Sequence, residues 1–225
     1  MKPTLYGHPF SLFSRKAHLV LLYKGVEFDY VTTMPQGQDE PFKSISPLGK
    51  IPAFQDDLDG IADSTVIAHH IERNYPGAAL LPSDNQQLNA VLWYDKYADS
   101  VMTTAIASHL FAELVMAKYV FKREPIQADI DKAINVELPK IYRFLEGRIN
   151  DNEWLVGDQL TLADISVGGL LITLLHTGQT IPDTAPKLQA YAGRFMALPM
   201  VQQCLAGELK VMKAVGYPTP LAEKD

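Results

Sequence analysis

The stretch SPLGKIPAF, residues 46–54, leads into a predicted β-hairpin. Its apolar end, residues 51–54, and the apolar run Gly60-Ile61-Ala62 flank Asp56-Asp57-Leu58-Asp59, a cluster of acidic residues before a glycine that is typical of a turn. The next segment, Ser64 to Asn74, carries apolar side chains at helical spacing and stops before a Pro-Gly pair. The sequence therefore predicts a hairpin followed by a helix.

Upstream of that stretch, the sequence predicts a strand, a helix and a second strand. Thr4 to Tyr6 is a short strand candidate, and the residues from Ser14 to Lys24 have apolar side chains at helical spacing before Gly25. Phe28 to Val31 is rich in aromatic and β-branched residues, which favours a strand. This order indicates a βαβ unit. A polar stretch, Gln36 to Ser46, separates that unit from the hairpin.

Downstream of the hairpin, the pattern changes to helices alone. Gly77 to Asp84, with a proline directly before it and another within it, is typical of a linker. Five later segments have helical patterns: Gln86 to Lys118, Pro125 to Arg148, Leu162 to Thr177, Lys187 to Leu198, and Met200 to Ala214. The sequence therefore predicts a mixed α/β domain over residues 1–80 and an all-α domain over residues 85–225.

Composition narrows the class of protein. Hydrophobic residues make up 47% of the 225 residues and charged residues 20%, which fits a globular chain and argues against disorder. The net charge of −6 makes nucleic acid an unfavourable partner. A single cysteine, Cys204, cannot form an internal disulfide. The longest apolar stretch, Val167 to Leu175, is too short for a membrane span, and no signal peptide is expected, so we expect a cytoplasmic protein without a membrane partner.

Four short motifs follow one another along the chain: GHPFS at residues 7–11 with Arg15-Lys16 after it, SPLGKIP at 46–52, Asp63-Ser64, and TLAD at 161–164. The first resembles the catalytic serine turn of phi-like and related bacterial glutathione transferases. The others resemble the string before that family's third strand, its Glu-Ser pair and its helix-capping motif. The resemblance covers essentially the whole chain. It implies a thioredoxin-like domain that binds glutathione, an all-helical domain that holds the electrophile, and a homodimer that serves detoxification.

The family's spacing puts the catalytic serine four residues before the arginine, which selects Ser11. Its hydroxyl would donate a hydrogen bond to the glutathione thiolate, so that no base or metal is required. Capping the following helix is the alternative role for Ser11. Ser14 competes for both roles and is the better placed N-cap in the sequence, while Tyr6 is a weaker rival because some classes use a tyrosine near the first strand.

The resemblance also implies binding residues for both substrates. A cis Ile51–Pro52 bond would let the backbone of Ile51 pair with the cysteinyl part of glutathione, and Ser64 would cap its helix and bind the γ-glutamyl carboxylate. The residues expected to bind glutathione are Gln38, Lys50, Ile51, Pro52, Asp63 and Ser64. The electrophile is expected between the two halves, against Phe10, Leu12, Phe13, Tyr94, Tyr97 and Met102, although aromatic residues at helical spacing are more often core.

Two other classes of function stay open. One is another glutathione-dependent reaction on the same fold, catalysed by an isomerase, a dehalogenase or a peroxidase. The other is a binding or scaffold protein without enzymatic activity. A thiol–disulfide oxidoreductase is disfavoured, because the turn that contains Ser11 has no cysteine and Cys204 lies far away in the sequence.

Overall fold

A computed structural model describes residues 1–149 and 152–222 and divides the chain into two compact units, Met1–Leu81 and Pro82–Asp225. The first unit is built on a four-stranded sheet of β1 (Thr4–Gly7), β2 (Asp29–Thr32), β3 (Ala53–Gln55) and β4 (Gly60–Ala62). The strand order is β2-β1-β3-β4. Strands β1 and β2 are parallel, and β3 is antiparallel to both of its neighbours. The predicted βαβ unit and hairpin are confirmed.

The helices of the first unit are α1 (Leu12–Tyr23), α2 (Phe42–Ile45) and α3 (Ser64–Asn74). Helices α1 and α3 pack against each other and bury apolar side chains such as Leu19, Val20 and Ile67. Helix α2 lies in the stretch that the sequence analysis describes only as polar, because a helix of four residues is too short to show a period. Phe42 anchors it in the sheet core beside Tyr6 and Ala53. This arrangement is the thioredoxin-like fold that the family resemblance implies.

In the part of the second unit that the structure describes, all of the regular secondary structure is helical. Its helices are α4 (Asn85–Phe121), α5 (Gln127–Lys132), α6 (Leu138–Glu146), α7 (Leu162–His176), α8 (Pro186–Met196) and α9 (Pro199–Ala214). Helix α4 changes from α-helical to π-helical hydrogen bonding over Ala98–Phe121, and a π-helical turn, Ala133–Glu137, joins α5 to α6. The predicted helical domain is confirmed, but the sequence pattern gave no indication of the π-helical segments.

Helix α7 forms the core of the second unit. Almost every one of its side chains is buried, which is the expected position for a helix that is apolar on all sides. The Asp164 carboxylate accepts hydrogen bonds from the backbone N–H and the hydroxyl of Thr161, at 2.8 and 2.9 Å, so the predicted capping interaction is present. The same carboxylate accepts the N–H of Leu155 and the hydroxyl of Tyr191, which ties the start of α7 to the preceding loop and to α8.

Helix α4 is long and apolar enough to cross a membrane by length and composition alone. Of its most apolar 18-residue window, 44% is buried inside the structure. Its buried side chains include Met102, Ile106 and Leu110, and the helix packs along α7. Since the core helix of a globular domain has the same composition, this packing explains the apolar sequence of α4.

Candidate functional site

One edge of the sheet gathers the candidate residues of the first unit. The strand register pairs Gly7 with Thr32, Tyr6 with Ala53, and Ala53 with Ala62, so β1, β2 and β4 end, and β3 begins, at the same edge. The loops at this edge and the first residue of α3 together contain all of the residues predicted to bind or activate glutathione: Ser11, Gln38, Lys50, Ile51, Pro52, Asp63 and Ser64. Ligands of open α/β sheets commonly bind where several loops meet at one edge in this way.

A tight turn joins β1 to α1. The N–H of Ser11 donates to the carbonyl of His8 at 2.8 Å, which closes a four-residue turn with Pro9 in its second position, where proline is favoured. Helix α1 begins at Leu12, and Ser11 is its N-cap: the Ser11 Oγ accepts the N–H of Ser14 at 3.2 Å. The expectation that Ser14 is the better N-cap is wrong, because this turn lets the helix start earlier than the apolar pattern suggests.

Ser14 is fully buried and lies inside the first turn of α1. Its Oγ accepts the N–H of His8 at 3.3 Å. The fit is tight: a Cβ atom on Gly7 would lie 2.6 Å from that Oγ, so a glycine is needed here for close approach. The Ser14 hydroxyl therefore packs under the end of β1 and faces away from solvent.

Ser11, in contrast, is only partly buried. A serine hydroxyl has one donor hydrogen and two acceptor lone pairs, and capping uses one lone pair. The hydrogen stays available for a bound group. The backbone N–H groups of Leu12 and Phe13 have no acceptor among residues 1–149 and 152–222, as is usual for the first turn of a helix. Three donors thus lie together at the start of α1, where the helix dipole favours an anion.

Tyr6, the weaker rival, is buried in the sheet core against Phe42, with ring centroids 6.4 Å apart. Burial raises the pKa of its phenol above the usual value. The Tyr6 side chain is therefore less accessible to a ligand than the partly exposed Ser11.

Asp63 and Ser64 lie where β4 passes into α3. Asp63 has a φ of 86°, in the left-handed region, and is the N-cap of α3. Its Oδ1 accepts the N–H groups of Thr65 at 2.9 Å and Val66 at 3.2 Å. The expectation that Ser64 caps this helix is therefore wrong: Ser64 is its first residue and is buried. A hydrogen bond of 2.7 Å from Lys16 Nζ to the Thr65 hydroxyl holds α1 and α3 together behind this edge.

Hydrogen bonds order the loop before β3 and the loop after β2. The Ile51–Pro52 peptide bond is cis, as predicted. The Ser46 hydroxyl donates to the carbonyl of Lys50 at 2.7 Å, while the Lys50 side chain is exposed. Gln38 is also exposed, and its amide donates to the carbonyl of Gln36 at 2.8 Å. Gln38 keeps an acceptor oxygen and a second N–H for other partners.

The residues expected to line an electrophile pocket belong to both units. In the first unit, Phe10, Leu12 and Phe13 are partly buried at the serine turn. In the second unit, Met102 is completely buried and Tyr94 is 7% exposed, so both are packed in the core. Tyr97 is partly exposed and stacks on Trp93, with ring centroids 5.2 Å apart, and burial raises its pKa to about 12.

His8 is the residue at this edge to which the sequence analysis gave no role. It contacts the turn through its backbone carbonyl, its backbone N–H and its ring. The sequence signal for this role was the position of the histidine in the strand-to-helix turn, where its ring can accept the backbone N–H of the residue two positions later. Within the described ranges, no group of three or more His, Cys, Asp or Glu side chains is arranged to hold a metal ion.

Comparison with known proteins agrees with this geometry. Residues 5–79 match the family model of the glutathione S-transferase N-terminal domain, and residues 109–208 match that of the C-terminal domain. The chain therefore belongs to the glutathione S-transferase family. Glutathione S-transferase 4 of Zea mays is 31% identical over 178 residues, which cover 77% of this chain and 78% of that protein. A glutathione S-transferase of Hyoscyamus muticus is 28% identical over 203 residues, 87% of this chain and 93% of its own.

Solved structures show the same fold at lower sequence identity. A glutathione S-transferase from Rhodospirillum rubrum superposes with a TM-score of 0.82 at 22% identity, covering 90% of this chain and 91% of its own. FzlA from C. crescentus also reaches a TM-score of 0.82, at 18% identity and 92% coverage of both chains.

Elongation factor 1-gamma of Artemia salina is 29% identical in sequence over 80% of this chain but only 40% of its own length. A protein named as an elongation factor is therefore also similar in sequence to this chain.

Proposed function

We propose that this chain is a serine-type glutathione transferase, which joins the glutathione thiolate to small hydrophobic electrophiles. The observation that carries the proposal is the Ser11 hydroxyl, partly exposed at the N-cap of α1 with its hydrogen uncommitted by the cap. The thiolate sulfur attacks an electrophilic carbon, forms a carbon–sulfur bond, and expels a leaving group such as chloride. The catalytic task of the protein is to keep that sulfur ionised near neutral pH.

The free energies that the Ser11 hydroxyl and the N-terminus of α1 can contribute are large enough to keep the thiol ionised. A free thiol has a pKa of about 8.5 and is mostly protonated at neutral pH. Lowering the pKa by about two units requires roughly 2.7 kcal/mol. A hydrogen bond donated to a charged group contributes about 1.5–3 kcal/mol. The N-terminus of α1 adds about 0.3–1 kcal/mol for a nearby anion. Ser11 and its helix together reach the required stabilisation.

The remaining residues of the edge suit the rest of the tripeptide. The N-terminus of α3, with Ser64 as its first residue, suits the γ-glutamyl carboxylate, and the Asp63 carboxylate suits the amino group. The exposed ammonium of Lys50 and the amide of Gln38 suit the glycyl carboxylate. Ile51, before the cis proline Pro52, offers backbone groups to the cysteinyl part. No metal is needed for any of these roles.

The electrophile is expected to contact apolar side chains from both units. Phe10, Leu12 and Phe13 are the candidates from the serine turn, and Tyr97 is the most accessible candidate from α4. We further propose, from the family, that the protein is a homodimer, that it acts in the cytoplasm, and that its role is detoxification.

The test is conjugation of glutathione to 1-chloro-2,4-dinitrobenzene by the parent and by Ser11→Ala and Ser14→Ala. We expect Ser11→Ala to lower kcat/KM by about 10- to 100-fold, the equivalent of the lost hydrogen bond. Ser14→Ala should keep a larger share of the activity than Ser11→Ala, because the buried Ser14 hydroxyl accepts the N–H of His8 and faces away from solvent. Ultraviolet difference spectra of the glutathione complex should show the thiolate at a lower pH in the parent than in Ser11→Ala. Equal activity in parent and Ser11→Ala would overturn the serine mechanism.

A second candidate function is a binding or scaffold role without enzymatic activity, and the likeness to Elongation factor 1-gamma, a protein named for another role, is the observation that favours it. Calorimetry with glutathione, run beside the conjugation assay, separates the two functions. Binding without turnover of any haloarene, epoxide or peroxide substrate would support the second candidate. Turnover of a peroxide or isomerisable substrate, but not of haloarenes, would indicate another glutathione-dependent reaction.

A further inference from the structure

We propose that His8 is a positioning residue for Ser11, with a neutral imidazole that locks the serine turn in the shape that presents the Ser11 hydroxyl. The inference rests on the proposed function, since it concerns the same site. It adds a second group whose protonation state governs the reaction, besides the glutathione thiol itself.

Three contacts of His8 hold the turn. Its ring Nδ1 accepts the backbone N–H of Phe10 at 3.2 Å. Its carbonyl accepts the N–H of Ser11 at 2.8 Å, and its own N–H donates to the Ser14 Oγ at 3.3 Å. The first contact depends on the protonation state of the ring, because Nδ1 can accept a hydrogen bond only when it carries no proton. The structure thus requires the neutral imidazole with its hydrogen on Nε2.

The surroundings of the ring favour that neutral form. The imidazole is partly buried and meets the Phe10 ring edge-on, with centroids 5.5 Å apart. Burial lowers the pKa of His8 below its usual value. The titratable residues on the neighbouring elements are Arg15, Lys16, His18 and Tyr23 on α1, Tyr6 on β1, and Asp29 and Tyr30 on β2. None of them shifts the pKa of His8, for which burial is the cause.

Protonation of His8 replaces the acceptor with a second donor. The N–H on Nδ1 of the ring then faces the backbone N–H of Phe10, and this hydrogen bond is lost. The turn becomes less rigid at Phe10, the residue directly before Ser11. The Ser11 hydroxyl loses its fixed direction towards the sulfur, and catalysis falls although every catalytic group is still present. Two ionisations therefore control the acid side of the pH profile: the thiol must lose a proton, and His8 must stay neutral.

Two variants separate the acceptor from the titration. In His8→Asn, the side-chain oxygen can accept the N–H two residues on, as asparagine does in turns, but it does not titrate. His8→Leu keeps the bulk of the side chain and has no acceptor. At neutral pH, we expect His8→Asn to stay within about threefold of the parent in kcat/KM and His8→Leu to fall by about tenfold or more. A loss of equal size in both variants would overturn the proposal.

The pH profile gives the sharper readout. As the pH falls through the pKa of His8, log kcat/KM of the parent should fall more steeply than one per pH unit, because two groups titrate. The slope for His8→Asn should be about one, since only the thiol remains. A structural role alone would lower activity at every pH and leave the slope unchanged. Equal slopes in parent and His8→Asn contradict the proposal.

Nuclear magnetic resonance tests the same inference without turnover. In the ligand-free parent, the amide resonances of Phe10 and Ser11 should shift with the titration of the His8 ring, and in His8→Asn they should not. If these amides stay fixed while His8 titrates, the proposal fails even if the enzyme is active. If they move but the parent conjugates no electrophile, the proposed function fails, while the protonation-controlled turn stands.

Discussion

The Ser11 Oγ lies 3.2 Å from the backbone nitrogen of Ser14 and accepts its N–H, so the hydroxyl that we propose as the thiolate partner is also the cap of α1. The two roles use different parts of one hydroxyl: a lone pair for the cap and the hydrogen for the sulfur. Capping fixes the side-chain rotamer, and the hydrogen is then free to follow the ligand. Stability and catalysis are thus coupled at this residue, and substitutions can separate them.

Replacing Ser11 by Ala should lower both stability and activity, whereas replacing it by Asp should lower activity alone. Ser11→Ala loses the cap and should lower the free energy of unfolding by about 1 kcal/mol. Ser11→Asp keeps an N-cap of equal quality, so its stability should stay within a few tenths of a kcal/mol of the parent. Its carboxylate repels a thiolate and has no hydrogen to donate, so conjugation should fall at least as far as in Ser11→Ala. Urea unfolding and the haloarene assay measure the two effects.

Ser11→Thr is the matched control, because it has a hydroxyl that can both cap and donate. It should keep most of the stability and part of the activity. If Ser11→Asp is destabilised as much as Ser11→Ala, then Ser11 does not cap α1 in solution.

Asp56 should contribute stability that disappears in acid. This buried carboxylate accepts the N–H groups of Leu58 and Asp59, both at 2.9 Å. It also accepts His70 Nε2 at 2.8 Å and the Tyr75 hydroxyl at 2.7 Å. Burial opposes its ionisation, but these hydrogen bonds prevail and lower its pKa to about 2. Because the folded-state pKa lies below the unfolded value, the stabilisation is present above about pH 4 and is lost as the pH falls towards 2.

The lowered pKa corresponds to about 2 kcal/mol of stability at neutral pH. Asp56→Asn should therefore lower the free energy of unfolding by at least about that amount at pH 7, and by much less near pH 2. Denaturant unfolding of both proteins across this range measures the difference. Its exposed neighbour is the control: Asp57→Asn should change stability by less than about 0.5 kcal/mol at either pH. A difference between parent and Asp56→Asn that does not vary with pH would contradict the prediction.

The sequence predicted which helices and strands form in both units better than it predicted the residues at which they begin and end. Ser64 to Asn74 was predicted as a helix and is α3, because its buried residues repeat at helical spacing and a β-hairpin precedes it. The start of α1 was missed by two residues, since turn hydrogen bonds rather than hydrophobicity set it. The same cause explains the wrong N-cap at Ser64: a cap depends on which residue has left the helix, and composition does not show that.

The candidate site was predictable where residue type and spacing carry the chemistry, as for Ser11. It was not predictable where the environment decides. Nothing in the sequence distinguishes a buried Ser14 from a partly exposed Ser11, or a buried Met102 from a partly exposed Tyr97. The role of His8 depends on one ring nitrogen meeting the N–H of Phe10, a contact that exists only after the turn has formed.

Two helical glycines of the second unit should respond in opposite directions to alanine. Gly168 lies in α7 against the buried ring of Phe195, and a Cβ there would lie 2.5 Å from Cδ1 of that ring. Since both α7 and the ring are packed in the core, neither can move without opening other contacts. Gly168→Ala should therefore lower the free energy of unfolding by about 1–3 kcal/mol, as overpacking does.

Gly193 lies on the exposed side of α8, where a Cβ would meet no atom within 4 Å in the described part of the chain. Gly193→Ala should raise the stability by about 0.5–1 kcal/mol, because alanine restricts the unfolded chain and suits a helix better than glycine. Urea midpoints of the two variants should thus lie on either side of the parent. If both shift in the same direction, helix propensity or packing alone governs these positions. If Gly168→Ala is neutral, α7 and α8 are not packed as closely in solution as the Gly168–Phe195 contact requires.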